Sequence, residues 1–440
     1  MTGKIQRIHA KAPDNWVNDP NGLIYYKGYY HLFYQYFPYA PRWGTMHWGH
    51  AVSRDLVNWE HRGIALFPTK RGDENGCFSG SAVEKDGRLC LIYTGVRYEP
   101  ADPEDIHVSF NEQFESCQMM ISSEDGFRFD NWKDKEMVLP PLTDPQIGDR
   151  THTRDPKVWR EGDSWYMILG STREKKQGRV LIFKSRDLRQ WTYVSQTEKG
   201  PEYGWMWECP DYVKTPGGSV LFVSAMGLPD VQEKEKNHVL CFPAKFEAGT
   251  GRLEIADRCQ LMDWGMDLYA PQTTLDREGR RILMAWVRMP KPSGDGWIGM
   301  FSSPRVVEME GNHVYLRMHP AVRAAYSRKI SETSQAPDGY RAVFDLKEGQ
   351  QVDVGGFRIG RRNRRIYTDR SAVYPRFAGA HLISETPELA EEAHLEVLAD
   401  ENLIEVFIND GEHVISNAVY GLGNWLRLDP GMEIELYGLE

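Results

Sequence analysis

The chain has 440 residues, more than one hydrophobic core usually organises, so two domains are expected. Its formal net charge of −10 disfavours a nucleic-acid or membrane-surface partner. No run approaches the roughly 18 apolar residues of a membrane-spanning helix, so no membrane span is predicted.

The segment Met1 to Asp14 has no apolar core of the signal-peptide type, so a cytoplasmic protein is expected. The six cysteines lack the paired spacing of zinc sites and disulfide frameworks, and they are predicted to be reduced thiols. No metal and no cofactor is predicted. Whether the chain forms a homo-oligomer is left open.

One pattern recurs five times in the first 290 residues: a short motif, a β-branched and apolar run, a glycine-containing turn and a second apolar run. Two runs joined in this way are typical of paired antiparallel strands. The turn glycines stand at positions 28, 87, 162, 217 and 279. The five motifs are Asp19-Pro20-Asn21-Gly22, Ser79-Gly80-Ser81, Asp155-Pro156-Lys157, Glu208-Cys209-Pro210-Asp211 and Tyr269-Ala270-Pro271-Gln272.

Repeating units of roughly 60 residues that hold several short strands favour four-stranded blades around an axis, and the count predicts a five-bladed β-propeller. A second repeat, at Ser53-Arg54-Asp55-Leu56 and Ser185-Arg186-Asp187-Leu188, follows strand-like runs later in the units. A solenoid of stacked β units is the alternative, and it is disfavoured because it would keep the acidic motifs apart.

After Pro304 the pattern changes. Residues 321–330 are predicted to form a short helical linker, and the alternating strands that follow are typical of an antiparallel β-sandwich. The predicted fold class is all-β, with a propeller domain over residues 1–320, a linker over 321–332 and a sandwich over 333–440. A basic run in the sandwich is interpreted as a solvated strand edge, with a partner-subunit contact as the alternative: Arg361, Arg362, Arg364 and Arg365.

Three of the five motifs carry an acidic residue, at Asp19, Asp155 and Glu208. Each motif alone would be read as a turn or a structural ion pair, since Asn, Asp, Pro and Gly are common turn residues. If the repeats are equivalent, however, the three residues occupy the same position in three blades. The sequence therefore predicts that their side chains converge on one point.

Two carboxyl groups that face one pocket among aromatic side chains fit glycoside hydrolysis. Glu208 suits the proton donor, because apolar neighbours and the other two carboxylates would favour its protonated form. Asp19 lies in a turn rich in backbone N–H groups and suits the nucleophile. Five tryptophans could offer apolar faces to a sugar ring, although packing in the core is the simpler interpretation of each: Trp16, Trp43, Trp48, Trp207 and Trp297.

These motifs resemble those of glycoside hydrolase family 32, the β-fructofuranosidases. The similarity covers nearly the whole chain in the expected order and is carried by Trp16-Val17-Asn18-Asp19-Pro20-Asn21-Gly22, Trp48-Gly49-His50-Ala51, Phe78-Ser79-Gly80-Ser81-Ala82, Arg154-Asp155-Pro156, Glu208-Cys209-Pro210-Asp211, Tyr269-Ala270-Pro271-Gln272 and Val406-Phe407-Ile408-Asn409-Asp410-Gly411. Val17 and Leu268 depart from the residues common in the family, Met and Phe, and these apolar exchanges should only tune the pocket.

The resemblance implies a five-bladed propeller followed by a β-sandwich, and it implies separate roles for the acidic residues. Asp19 would be the nucleophile, Glu208 the acid/base and Asp155 the transition-state stabiliser. Residues at positions that shape the fructose pocket would bind substrate: Asn18, Gln35, Trp43, Phe78, Ser79, Arg154 and Tyr269.

The leading hypothesis is a retaining exo-acting β-fructofuranosidase that hydrolyses sucrose or sucrose 6-phosphate, and retention predicts carboxyl groups of Asp19 and Glu208 about 5–5.5 Å apart. A fructan exohydrolase acting on inulin- or levan-type oligosaccharides is the alternative within the enzyme class. A sugar-binding propeller without activity is the alternative outside it, and it is disfavoured because all three acidic residues are present. Three residues are guesses for a phosphate contact: Arg42, Arg97 and Lys291.

Overall fold

The computed structural model describes residues 5–229, 237–294, 296–331, 339–390 and 393–440, and strands dominate them. The helical segments in these ranges are α1 (Pro320–Ala325) and three short 3-10 turns, Arg71–Asp73, Phe110–Glu112 and Pro201–Tyr203. Within these residues, no helix is long and apolar enough to cross a membrane.

Five antiparallel sheets form the first part of the chain. The first holds β1 (Ile5–Arg7), β2 (Trp16–Tyr26), β3 (Tyr29–Phe37), β4 (His47–Ser53) and β5 (Asn58–Leu66), with β1 beside β5. The second holds β6 (Gly76–Lys85), β7 (Arg88–Tyr98), β8 (Phe114–Ser123) and β9 (Glu136–Leu139). The third holds β10 (Arg154–Glu161), β11 (Ser164–Arg173), β12 (Gln177–Ser185) and β13 (Thr192–Glu198).

The remaining two sheets follow the same order from the centre outward. The fourth holds β14 (Met206–Thr215), β15 (Gly218–Met226), β16 (His238–Glu247), β17 (Arg252–Ile255) and β18 (Gln260–Leu261), with β18 beside β16. The fifth holds β19 (Leu268–Leu275), β20 (Arg281–Val287), β21 (Met300–Phe301), β22 (Arg305–Glu310) and β23 (His313–Met318), with β21 beside β20.

The first long strand of each sheet lies at the centre of the molecule. β2, β6, β10, β14 and β19 contact one another in sequence, and β19 also contacts β2, so the ring closes. The sheets are therefore the blades of the five-bladed propeller that the repeats predicted. Each of the five sequence motifs lies on one of these innermost strands.

The second sequence repeat forms the turn from the third to the fourth strand in the first three blades. Ser53 Oγ accepts from the backbone N–H of Leu56, and Ser185 Oγ accepts in the same way from Leu188. Leu56 and Leu188 adopt left-handed φ values of 66° and 70°, and Gly126 stands at the equivalent place with φ 79°. The shared side-chain bond offsets the strain of the left-handed residue.

Each innermost strand carries a one-residue β-bulge at its motif. In β14, for example, Glu208 pairs with Ser224 and Asp211 with Phe222, so three steps along β14 match two along β15. The other four bulges lie at Val17–Pro20, Cys77–Gly80, Arg154–Lys157 and Tyr269–Gln272. A bulge redirects the side chains beside it. Five equivalent bulges therefore aim their side chains at the same end of the channel.

The bulges correct the expectation that the three acidic residues share one position. When the bulges are aligned, Glu208 is the first residue, Asp155 the second and Asp19 the third. The second residue adopts a left-handed φ in three blades, at Asp155 (64°), Cys209 (44°) and Ala270 (48°). Strain of this kind in non-glycine residues is typical of functional sites. The acidic groups are thus staggered rather than equivalent.

The last part of the chain forms two packed sheets. Their strands are β24 (Arg328–Ile330), β25 (Tyr340–Leu346), β26 (Gln351–Val354), β27 (Phe357–Arg362), β28 (Arg365–Asp369), β29 (Ile383–Glu385), β30 (Ala393–Ala399), β31 (Leu403–Ile408), β32 (His413–Ala418), β33 (Leu426–Leu428) and β34 (Glu435–Gly438). One sheet has the order β24-β34-β25-β30-β31-β32 and the other β29-β28-β27-β26-β33. Apolar side chains of both sheets share one core, which makes this part the predicted β-sandwich.

The linker differs from its prediction. The helix α1 ends at Ala325, and residues 328–330 form a strand beside β34. The predicted boundary at residue 332 lies outside the described residues. In the basic run, the side chains of Arg362, Arg364 and Arg365 are exposed and pair with glutamates, as a solvated edge requires.

Buried charges join the sandwich to the propeller. Arg370 of the sandwich forms a two-fold ion pair with Asp267, two residues before the Tyr269 motif. His9 lies between Asp400 and Glu405 at 2.9 Å from each. Burial alone would lower the pKa of His9, but hydrogen bonds and charges of these two carboxylates raise it to about 9. The sandwich therefore holds two propeller segments, the residues before β19 in the fifth blade and the N-terminal segment at His9.

Candidate active site

A cavity of about 480 Å³ opens where the five bulges meet. Its size is that of a pocket for a small ligand. All ten residues to which the family resemblance gave a catalytic or substrate-binding role line it: Asn18, Asp19, Gln35, Trp43, Phe78, Ser79, Arg154, Asp155, Glu208 and Tyr269. Residues that are distant in the chain, on all five blades, thus share one pocket.

Asp19 is held by donors from three blades. Its Oδ2 accepts from Ser79 Oγ at 2.5 Å and lies 3.4 Å from the thiol sulfur of Cys209. Its Oδ1 accepts from Asn18 Nδ2 at 3.1 Å, and Trp16 Nε1 donates to the Asn18 amide oxygen at 2.8 Å. These contacts fix the carboxylate while leaving it on the pocket wall.

Ser79 reaches Asp19 because Gly80 follows it. A Cβ atom at position 80 would lie 2.1 Å from the carbonyl oxygen of Ile92, so only glycine allows this close approach of β6 to β7. Ser79 and Asp19 both occupy the third place of their bulges, on neighbouring blades. The local sequence thus sets the hydrogen bond between them.

Asp155 is bound through the neighbouring bulge. Its Oδ2 accepts from the backbone N–H of Cys209 at 2.9 Å, and its own backbone N–H donates to Thr94 Oγ1 at 2.9 Å. The guanidinium of Arg154 lies 3.9 Å from the same oxygen. The left-handed backbone of both Asp155 and Cys209 is therefore locked by bonds between blades.

Both carboxyl oxygens of Glu208 accept hydrogen bonds. Arg154 donates to Oε1 from Nη2 at 2.8 Å and from Nε at 3.2 Å, and Tyr269 donates its phenolic hydrogen to Oε2 at 2.8 Å. These polar partners differ from the apolar surrounding that was expected for Glu208. The side chain is 20% exposed, toward the pocket. Arg154 and Tyr269 thus aim the carboxyl group.

The charges of the site shift several proton equilibria. Burial raises the pKa of Asp19, although the bond from Ser79 lowers it, and the charge of Glu208 raises it further. Burial also raises the pKa of the Tyr269 phenol, and the charge of Glu208 adds to this, so the hydroxyl stays a donor. The Cys209 thiol has its pKa raised well above the usual value by burial and by the three carboxylates, so it stays protonated.

Replacing Asp155 by Asn is expected to stabilise the fold at alkaline pH. Burial raises the pKa of Asp155 to about 7; Arg154 opposes this, whereas Glu208 and Asp19 favour it. The usual pKa of this carboxyl group is 3.8, and folding raises it to about 7. Its contribution to the stability of the fold is therefore complete below pH 3.8 and is lost as the pH rises through about 7. Thermal melts at pH 8 should place the variant a few degrees above the wild type. The two should converge near pH 4, and equal melting temperatures at pH 8 would contradict the burial argument.

The aromatic wall differs partly from its prediction. Trp16 and Trp43 line the pocket, and the Trp43 ring lies 5.7 Å from that of Phe78. Trp48 and Trp207 are fully buried in the core instead. Sequence reasoning missed other lining residues, which come from strand ends and loops rather than from the repeated motifs: Tyr98, Phe114, His152, Trp205, Met226 and Trp286.

The three residues guessed for a phosphate contact do not line the pocket. Arg42 pairs with Asp105 at 2.8 Å, and Arg97 pairs with Glu115 at 2.6 Å. Lys291 lies over the ring of Tyr420. As for metals, the described ranges contain no group of three or more His, Cys, Asp or Glu side chains placed to hold an ion.

Comparison with known proteins gives two family matches that follow each other along the chain. The model for the N-terminal domain of glycosyl hydrolases family 32 matches residues 9–320, and that for the family's C-terminal region matches residues 330–436. An Escherichia coli sucrose-6-phosphate hydrolase is 33% identical over 94% of this chain and 88% of its own length. An Escherichia coli raffinose invertase is 34% identical over 94% and 89%.

Solved structures give the same result. A Bombyx mori β-fructofuranosidase of family 32, in complex with sucrose, superposes with a TM-score of 0.83 at 27% identity, covering 99% of this chain and 93% of that one. A sucrose-6-phosphate hydrolase from Lactobacillus gasseri shares the fold, with a TM-score of 0.83 at 24% identity. The family models and the relatives cover almost all of the chain. The chain belongs to glycoside hydrolase family 32 and is a glycoside hydrolase.

Proposed function

We propose that the protein is a retaining, exo-acting β-fructofuranosidase that hydrolyses the terminal β-D-fructofuranoside bond of sucrose or sucrose 6-phosphate. The observation that carries this proposal is the staggered set of Asp19, Asp155 and Glu208 in one pocket, each held by donors from neighbouring residues. The names of the relatives, a sucrose-6-phosphate hydrolase and a raffinose invertase, support a substrate of the sucrose type.

In the first step, an oxygen of Asp19 attacks C2 of the fructosyl unit. The bond from C2 to the glycosidic oxygen breaks, and Glu208 gives its proton to that oxygen, which leaves with the second sugar. In the second step, Glu208 takes a proton from water. The resulting hydroxide attacks C2, and the ester to Asp19 breaks with its electron pair returning to the carboxylate.

The acid role requires Glu208 to enter the first step protonated. Arg154 donates to Oε1 and the Tyr269 hydroxyl donates to Oε2, so the carboxyl group keeps one orientation through both steps.

The remaining lining residues fit binding of the fructosyl unit. Asp155 stabilises the positive charge that develops on the sugar ring, and Arg154 keeps Glu208 in place. Trp43 and Phe78 offer apolar ring faces, as sugar-binding pockets require. Polar contacts to the hydroxyl groups come from side chains already fixed by the protein: Asn18, Gln35, Ser79 and Tyr269.

A comparison of substrates tests the function. kcat/KM should be at least about tenfold higher on sucrose or sucrose 6-phosphate than on 1-kestose, inulin or levan, since a factor of ten is only about 1.4 kcal/mol of transition-state binding. Equal or greater activity on the polymers would favour the fructan exohydrolase. Binding of sugars without hydrolysis would favour the sugar-binding propeller. Analysis of the first product by NMR would show retention as β-fructofuranose.

A cytoplasmic location belongs to the proposal. All six cysteines are free thiols and five of them are buried, which suits a reducing compartment. Fractionation of the source cells, with activity as the readout, would test this. Sedimentation of the purified protein would show whether it forms the homo-oligomer that the sequence left open.

Replacing Ser79 by Ala is expected to move the acid limb of the pH profile upward. The Ser79 hydrogen bond lowers the pKa of Asp19 and so opposes the increase caused by burial. Without the bond, Asp19 should lose its charge at a higher pH, because a hydrogen bond donated to a carboxylate favours its charged form. The measurement is kcat/KM on sucrose between pH 4 and 8. An unchanged limb with reduced kcat would contradict this explanation.

A further inference from the structure

We propose that Lys175 and Glu112, which pair at the edge of the active-site pocket, set the preference of the enzyme between sucrose 6-phosphate and sucrose. Lys175 would attract the phosphate group of the leaving sugar and Glu112 would repel it. The assignment rests on the proposed function, because it concerns the leaving group of that reaction.

Glu112 is placed at the pocket by an unusual loop. The segment between β7 and β8 contributes Val108, Ser109 and Glu112 to the pocket lining. Asn111 and Glu112 adopt successive left-handed φ values of 52° and 55°. Two such residues in a row are costly outside glycine. The loop therefore holds an acidic side chain at the mouth although the backbone is strained there.

Lys175 approaches from the neighbouring blade. It lies at the tip of the hairpin between β11 and β12, where Glu174 and Lys175 have φ values of 54° and 53°. Its Nζ lies 3.9 Å from Oε2 of Glu112. Burial, the charge of Arg154 and the charge of Lys175 lower the pKa of His152, a lining residue, to about 4. Lys175 is thus close enough for its charge to act within the pocket.

Two arginines that pair with Glu115 are bound more tightly than Lys175. Arg97 and Arg150 both pair with Glu115, at 2.6 Å for Arg97. The side chains of Lys175 and Glu112 are 54% and 74% exposed and their charged atoms lie farther apart. Exposed pairs of this kind contribute little to stability. Lys175 can therefore exchange Glu112 for another anion at small cost.

A sugar phosphate would exploit this exchange. The phosphate carries a charge of about −1.5 to −2 near neutral pH and accepts strongly from an ammonium group. A neutral leaving sugar experiences neither the attraction of Lys175 nor the repulsion of Glu112. Lys175 should therefore raise kcat/KM for sucrose 6-phosphate and Glu112 should lower it. Neither residue should change kcat/KM for sucrose.

The test is a pair of opposed variants. Lys175→Ala should lower kcat/KM for sucrose 6-phosphate about five- to tenfold, mainly through KM, with the value for sucrose unchanged within about twofold. Glu112→Gln should raise kcat/KM for sucrose 6-phosphate about two- to fivefold. Both effects should shrink in about 0.5 M salt, because screening weakens interactions between exposed charges.

Lys176→Ala is the matched control. Lys176 lies on the same hairpin, is also exposed and pairs with Glu174 at 3.4 Å rather than with Glu112. Its replacement should leave both substrates unaffected. If the ratio of kcat/KM for sucrose 6-phosphate to kcat/KM for sucrose is the same in all variants, the roles of Lys175 and Glu112 are overturned, while the proposed function still stands. Wild-type enzyme that cleaves sucrose but not sucrose 6-phosphate would also overturn it. Cleavage of neither would overturn the proposed function as well.

Discussion

Replacing Asp19 by Asn is expected to lower kcat on sucrose at least about 10⁴-fold, which is the usual size of the loss when a covalent nucleophile is removed. An amide cannot form the ester to C2, although its size matches that of the carboxylate. The amide oxygen of Asn can still accept a hydrogen bond from Ser79 Oγ, which lies 2.5 Å from Asp19 Oδ2 in the wild type. Since burial raises the pKa of Asp19, loss of the charge should not destabilise the fold. Steady-state rates and thermal melts measure the two effects separately.

Asp86→Asn is the matched control for this variant. Asp86 lies at a hairpin tip with its side chain 78% exposed, and its φ of 51° is one that Asn adopts readily. The control should keep wild-type turnover and melting temperature. Near wild-type turnover in Asp19→Asn would exclude Asp19 as the nucleophile. A large loss of turnover together with a lower melting temperature would point to a damaged pocket instead.

The repeated pattern predicted the propeller because each copy is a local signal of two strands and a turn. Alternating apolar residues and turn glycines identify such a unit without reference to the rest of the chain. The five copies then predicted a shared axis and one pocket. This explains why one residue from each copy lines the same cavity: Asp19, Ser79, Asp155, Glu208 and Tyr269. Gln35 and Trp43 lie outside the copies and were predicted from the family resemblance.

The exact placement of the acidic residues could not be predicted from the pattern. Glu208, Asp155 and Asp19 occupy successive places of the bulges, and a bulge depends on pairing with the next strand rather than on local sequence. Trp205 and Trp207 illustrate the same limit. They flank Met206, yet Trp205 lines the pocket and Trp207 is fully buried, because burial depends on the neighbouring blades.

The leaving-group side of the pocket was missed for a related reason. Glu112, His152 and Trp286 come from loops and strand ends that carry no repeat. The helical linker was predicted correctly as far as Ala325, in α1, but residues 328–330 pair instead with a strand near the end of the chain. Contacts between segments so far apart leave no periodic signal. The left-handed backbone conformation of residues such as Asn111 is likewise seen only in the structure and was not predicted from the sequence.

Replacing Glu208 by Gln is expected to lower kcat/KM on sucrose about 10²- to 10⁴-fold, the usual contribution of a general acid. Sucrose has a poor leaving group, which requires a proton as the bond to C2 breaks. An aryl fructoside with an electron-poor ring leaves without that help. The first step on such a substrate should therefore proceed at close to the wild-type rate, and a burst of released phenol would measure it.

The second step provides the distinguishing result. Glu208 also takes the proton from water, so the steady-state rate of the variant on the aryl fructoside should fall after the burst, as the fructosyl ester accumulates on Asp19. In the wild type, Arg154 Nη2 donates to Glu208 Oε1 at 2.8 Å. The amide oxygen of Gln can accept the same hydrogen bond, so the pocket should stay intact. Glu202→Gln, on an exposed turn outside this pocket, is the control and should behave as wild type. Equal losses on sucrose and on the aryl fructoside, without a burst, would mean that Glu208 positions the substrate and does not transfer the proton.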